Sequence, residues 1–144
     1  MGVLKSAWLS FVTQVKTDGP LSSDVNKFVI GFKDQQLSPD KFPAVIINLN
    51  EIEDENISQP HKLWGKLNIS LIVKAKGANN EALVSKILDL SEKARNAVLK
   101  DTKIGGTATD TNLLSNSIGK FSNNFIESEM IFEVITNRIT GGSL

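Results

Sequence analysis

The stretch LWGKLNISLIVKA, Leu63 to Ala75, decides the fold. Leu63, Leu67, Ile69, Leu71, Val73 and Ala75 alternate with Trp64, Lys66, Asn68, Ser70 and Lys74, and only Ile72 interrupts the polar set. Period two predicts a strand with one buried face and one wet face. Its thirteen residues are about twice the usual strand length. A strand that long can project beyond its own domain and meet a neighbour.

Upstream, Phe42-Pro43-Ala44-Val45-Ile46-Ile47-Asn48-Leu49 reads as a strand ending near Asn50. Pro43 lacks the N–H and can only open such a strand or sit on an edge. The continuous apolar run predicts cover on both faces. Glu51 to Pro60 reads as an acidic loop carrying Glu51, Glu53, Asp54 and Glu55, with His61 after it. Asn26 to Lys33 reads as a further strand with Phe28, Ile30 and Phe32 on one face. Asp34 to Lys41, with Ser38-Pro39-Asp40, reads as a turn. Val3 to Lys16 carries Leu4, Ala7 or Trp8, Phe11, Val12 and Val15 at helical steps and stops at Asp18-Gly19-Pro20. Trp8 on that stripe reads as a core or docking anchor.

Downstream, Gly77-Ala78-Asn79-Asn80 is a turn, with Asn80 as the expected N-cap of a helix over Glu81 to Lys100. Leu83, Ile87, Leu90, Ala94, Ala97 and Val98 give its core stripe. Thr102 to Asn124 is rich in Ser, Thr, Asn and Gly and reads as a long loop, with at most a short strand near Ile104 to Ala108. Phe125 to Arg138 alternates again and closes the sheet. Consecutive strands joined by short polar turns predict mainly antiparallel pairing. The fold class is therefore α+β. It is a two-layer sandwich in which a mostly antiparallel or mixed sheet of four to five strands is packed by two helices. Residues 1–138 read as a single domain and 139–144 as a flexible tail.

The chemistry is sparse. The chain has 144 residues, 16 Lys+Arg against 16 Asp+Glu, one His and no Cys. Without cysteine there is no disulfide scaffold, thiol nucleophile or thiolate metal site. Zero net charge argues against a dedicated nucleic-acid binder. No apolar run is long enough to span a membrane, and the absence of a signal-peptide core predicts a chain made and kept in the cytoplasm. His61 lacks a nucleophile elbow nearby. The acidic residues lack the glycine and spacing of a calcium loop, and Gly105-Gly106-Thr107 lacks the ending of a phosphate loop. The expectation is a protein that is not an enzyme and has no cofactor and no metal. Lys66 and Lys74 with Trp64 on one strand face offer the alternative of a single-strand nucleic-acid binder. A small enzyme built on His61 and the neighbouring carboxylates is another.

The order of elements and their residues resemble the tail terminator, or tail-completion, proteins of tailed bacteriophages, of the minor tail protein U type. The resemblance is carried by Phe42 to Ile47 entering the acidic segment, Lys66 to Lys74, and the helix with Asn80-Glu81-Ala82-Leu83-Val84 and Ala94 to Leu99. The last strand, Glu127 to Ile135, completes it. It implies a structural virion subunit in the tail or neck, made in the host cytoplasm. Such a protein forms a homohexameric ring that caps the tail tube, ends its polymerisation and joins the tail to the head-side connector. The implied partners are further copies of the chain, the tail tube protein and the head-side connector, with the sheath protein as an optional one. DNA passes through the lumen without specific binding. The candidate inter-subunit or tube contacts are Glu51, Glu53, Asp54, Glu55, His61, Trp64 and Lys66. Another neck subunit, of the head-closure or stopper kind, is the alternative, and the long helix over 81–100 argues against it.

Overall fold

A computed structural model describes residues 2–31, 42–56, 62–77, 79–122 and 124–139. In chain order the elements are α1 (Val3–Lys16), α2 (Gly19–Ser22), β1 (Lys27–Ile30), β2 (Ala44–Asn56), β3 (Lys62–Lys76), α3 (Asn80–Leu99), β4 (Asp110–Ser122) and β5 (Phe125–Ile139). The strands form one open sheet in the order β1-β2-β3-β5-β4. β1 and β2 are parallel, whereas β2–β3, β3–β5 and β4–β5 are antiparallel. The α+β class holds, as a five-stranded mixed sheet with helices on one face.

That face carries the core. Val45 and Ile47 from β2, Leu67 to Ala75 at alternate positions of β3, and Ile126, Met130, Phe132 and Val134 from β5 pack against the helices. α1 contributes Ala7, Phe11 and Val15, one residue per turn. Phe11 meets Phe132 edge to face at 6.1 Å, a geometry that ring quadrupoles favour. Trp8 is half-buried against the same cluster, as its place on the stripe predicts. α3 contributes Leu83, Ile87, Leu90, Ala94, Ala97 and Val98. The four-residue run Ala44 to Ile47 is buried throughout, so both of its faces are covered.

The helix ends are tied by side chains. Gln14 donates from Nε2 to the carbonyls of Ala97 and Val98 at 3.1 and 2.8 Å, which satisfies orphan acceptors at the end of α3, and to that of Asp101 just beyond it at 3.2 Å. Asp18 accepts from the Leu21 N–H at 3.1 Å and from Lys100 Nζ at 2.8 Å. Asp18-Gly19-Pro20 thus ends α1 and also starts the short third helix α2. α3 is capped by Asn79, whose side chain accepts from the Ala82 N–H at 2.8 Å. The cap stands one residue before the expected Asn80.

Four other expectations are corrected. Thr102 to Asn124 is not a long loop: turns occupy 102–107 and the strand β4 comes after them. Its alternation is hidden in the sequence by irregularities at Leu113/Ser115 and Ile118/Lys120, and an edge strand needs few apolar residues. The segment near Ile104 is a turn rather than a short strand. Ile104 has φ 49° yet is fully buried, and Gly105 and Gly106 come next at 64° and 87°. A β-branched residue rarely adopts that region, and here the core holds its side chain in place. Glu51 to Asn56 continue β2 rather than opening a loop, because β3 is long enough to pair with them. β1 is shorter than expected, at four residues, and parallel to its neighbour; Phe28 packs against the core while Ile30 is 50% exposed. The turn expected at 34–41, Phe32 and residues 140–144 of the expected tail lie outside the described residues, and Ile139 ends β5.

Candidate interaction surface

The face of the sheet away from the helices is built by strand alternation. On β3 it presents Lys66, Asn68, Ser70, Ile72 and Lys74, and the residues opposite on β5 are Ile135, Glu133, Ile131, Glu129 and Glu127. On β2 it begins with Ala44, Ile46 and Asn48, opposite Lys74, Ile72 and Ser70. The register then shifts between Leu49 and Glu51. Asn50 is the extra residue, and a bulge reverses the facing of every later residue in the strand. Glu51 pairs with Asn68 and Glu53 with Lys66. The bulge is therefore the cause of both glutamates standing on the polar face; without it they would point toward the core.

Ile72, which interrupts the polar alternation of β3, stands opposite Ile46, and both are fully buried. Beside this pair runs a hydrogen-bonded polar chain. Asn48 donates to Asn50 at 2.6 Å. Asn50 donates to Asn68 at 2.8 Å and to Ser70 at 2.6 Å. Ser70, itself fully buried, donates to Glu129 at 2.9 Å. Satisfied polar networks of this kind fix strand register. Lys66 lies 3.9 Å from Glu133, and Lys74 lies 3.8 Å from Glu127. Such partly exposed pairs are each worth at most about 1 kcal/mol. Their main consequence is electrostatic: the lysines that suggested nucleic-acid binding face carboxylates. The described acids Glu51, Glu53, Glu127, Glu129 and Glu133 outnumber Lys66 and Lys74 on this face.

Glu51, Glu53, Lys66, Asn68 and Glu133 line one shallow depression. Of the residues singled out in the sequence, the structure brings Glu51, Glu53 and Lys66 together. Asp54, Glu55 and Trp64 are fixed by backbone register alone, Asp54 opposite Gly65 and Glu55 opposite Trp64. His61 lies outside the described residues. Glu133, Asn68 and Ser70 were missed as site residues, although their place in alternating strands was readable.

The depression lies near one end of the apolar core. Leu67 and Val134 are the last core-cluster residues on β3 and β5. Ile52, opposite Leu67, is already 53% exposed. Pairing nevertheless continues to Asn56 with Leu63 and to Lys62 with Ile139. Thr136, opposite Gly65, is still buried, and past that pair the strands run on for about 10 Å at 3.4 Å per residue.

No family model and no curated protein matches the chain. One solved structure with a partly similar course is described as the virion of a native gene transfer agent (GTA) particle. It is 10% identical over 91% of this chain and 92% of that chain, with a TM-score of 0.48. A likeness at that level carries no argument about the role of this chain. No described helix is long and apolar enough to cross a membrane.

Proposed function

We propose that the chain is a structural virion protein. It is the subunit of a homohexameric tail terminator ring, which caps the tail tube, ends its growth and presents a surface to the head-side connector. The observation that carries this reading is the three-stranded extension of β2, β3 and β5 beyond the core, with Glu51, Glu53, Lys66 and Glu133 at its base. In this reading a ring subunit uses strand pairing that continues past the apolar cluster to reach a neighbour or the tube. In this reading the role is non-enzymatic, and Lys66 and Glu133 serve as a cross-strand ion pair. An acid-rich sheet face also repels the phosphate backbone, so DNA would slide past it without sticking. The sequence resemblance to tail terminators supports the same role.

The test is electron microscopy of the purified protein mixed with tubes of the cognate tail tube protein. The wild type is expected to cap tube ends and halt elongation. The double variant Glu51→Lys, Glu53→Lys is expected to keep its thermal transition and lose capping. Bare tube ends with the wild type would overturn the reading.

A further inference from the structure

We propose that the outer edge of β4 pairs with β4 of a second copy of this chain, antiparallel about a two-fold axis, with Asn116 opposite Asn116. The product is one continuous ten-stranded sheet. β4 stands at the end of the strand order, and among the described residues no strand pairs with its far side. An edge of this kind presents unmet N–H and C=O groups and is a template for another strand. The two edges of the sheet are treated differently. β1 is four residues long, which leaves little to pair with; β4 has thirteen. Two irregularities bend this edge at Leu113/Ser115 and Ile118/Lys120, but between Thr111 and Gly119 there is no proline and no charge. Leu114 and Ile118 are instead 52% and 51% exposed.

The residues set both register and direction. Ser115 to Ile118 pair regularly with Ile131 to Ser128, between the two irregularities, so this is the segment whose free edge is straight enough to accept a strand. Centring the two-fold on Asn116 sets Ser115 opposite Ser117 twice and brings Leu114, the extra residue of the first irregularity, beside Ile118 twice. The exposed aliphatics then cover one another, and such cross-strand pairs are the stabilising unit of a sheet. Formal charge selects the direction. β4 begins at the acid Asp110 and bears the base Lys120 near its other end. Antiparallel pairing brings each acidic end to a basic end, and parallel pairing would set like against like. The contact is isologous, using one patch on both copies. It is therefore distinct from the head-to-tail contacts of a ring and stands or falls separately from the ring reading.

The absence of cysteine makes the test direct. Opposed residues in an antiparallel pair have Cα atoms about 4.5–5.5 Å apart, within disulfide reach. Mild oxidation of Asn116→Cys is expected to give a covalent dimer. Mixing Ser115→Cys with Ser117→Cys is expected to give the heterodimer in several-fold excess over either homodimer. Light scattering of the wild type is expected to give twice the chain mass at high concentration, and Ile118→Lys to return it to one chain with its thermal transition kept. Equal cross-linking at all three positions, a wild type that stays at the mass of one chain, or a particle of six chains unaffected by Ile118→Lys would each overturn the proposal.

Discussion

β3 and β4 run in the same direction, both antiparallel to β5 and on either side of it. α3 carries the chain from one to the other, a crossover of the kind parallel strands require. Yet β3 is regular along all fifteen of its pairs with β5, while β4 breaks register twice against the same strand. The difference lies in the neighbours. β3 has a strand on each side and helices over one face, so every residue is held to period two. β4 has one strand beside it and is exposed along most of its length. Central placement enforces pattern; an edge tolerates Ser, Asn and Thr and stays available for contact.

The largest effect that separates the two strands is expected in the core. Leu71 on β3 is fully buried in the cluster shared with α1 and α3. Leu71→Ala should cost about 2–5 kcal/mol, the usual range for truncating a buried leucine. Ile118→Ala on β4 removes a side chain that is half in solvent, and should cost below about 1 kcal/mol in the single chain. Denaturant unfolding of both variants at low protein concentration checks the contrast. Equal losses would mean that β4 is as tightly packed as β3 and would remove the distinction.

The same contrast explains what could be read from the residues alone. β3, β5 and α3 were legible because burial imposes a period on them: Leu67 to Ala75, Met130 to Val134 and Leu83 to Val98 repeat at two or at three to four. β4 was not, because Leu114 is the extra residue of an irregularity and with Leu113 mimics an apolar island in a loop. The acidic segment misled for a related reason. The bulge at Asn50 changes which residues face the core, and no local signal in Asn48-Leu49-Asn50-Glu51 announces it. The parallel pairing of β1 with β2 depends on how the chain returns between them, which propensity does not encode. At the candidate surface, Glu51, Glu53 and Lys66 could be named from charge and alternation. Glu133 could be joined to them only once β5 was known to lie beside β3.

A smaller effect is expected on the polar face of β3. Ser70→Ala removes the hydroxyl that accepts from Asn50 and donates to Glu129. Asn50 keeps its bond to Asn68, so the loss should be near 1 kcal/mol, about the typical worth of a hydrogen bond with partial compensation. The more telling readout is amide exchange at the bulge. Faster exchange at Asn50 and Glu51, with β4 unchanged, is expected if the network holds the register that turns the glutamates outward. Unchanged exchange there would show that backbone pairing alone sets the bulge.

The smallest effect lies on the helix that joins the two strands. Lys93 of α3 donates to Asp24, just before β1, and lies 3.0 Å from Asp89 one turn earlier. The Asp24 hydrogen bond, then the Asp89 one, raise its pKa above the ordinary lysine value. A group whose pKa is raised by folding contributes stability that is fully present below its unfolded pKa, about 10.4, and lost as pH rises through the folded value. Lys93→Met is therefore expected to lower the melting temperature slightly at pH 7, and the gap to the wild type should close as the pH is taken through and above the lysine range. Added salt should narrow the gap at pH 7 as well, because the pair is exposed and screened. The pair ties α3 to the β1 side of the sheet, away from β4, so amide exchange in Leu113 to Ile118 should not respond to the substitution. A response there would mean that α3, and not β5 alone, sets the position of the edge strand, and the contrast between an enforced β3 and a tolerant β4 would have to be redrawn around the helix.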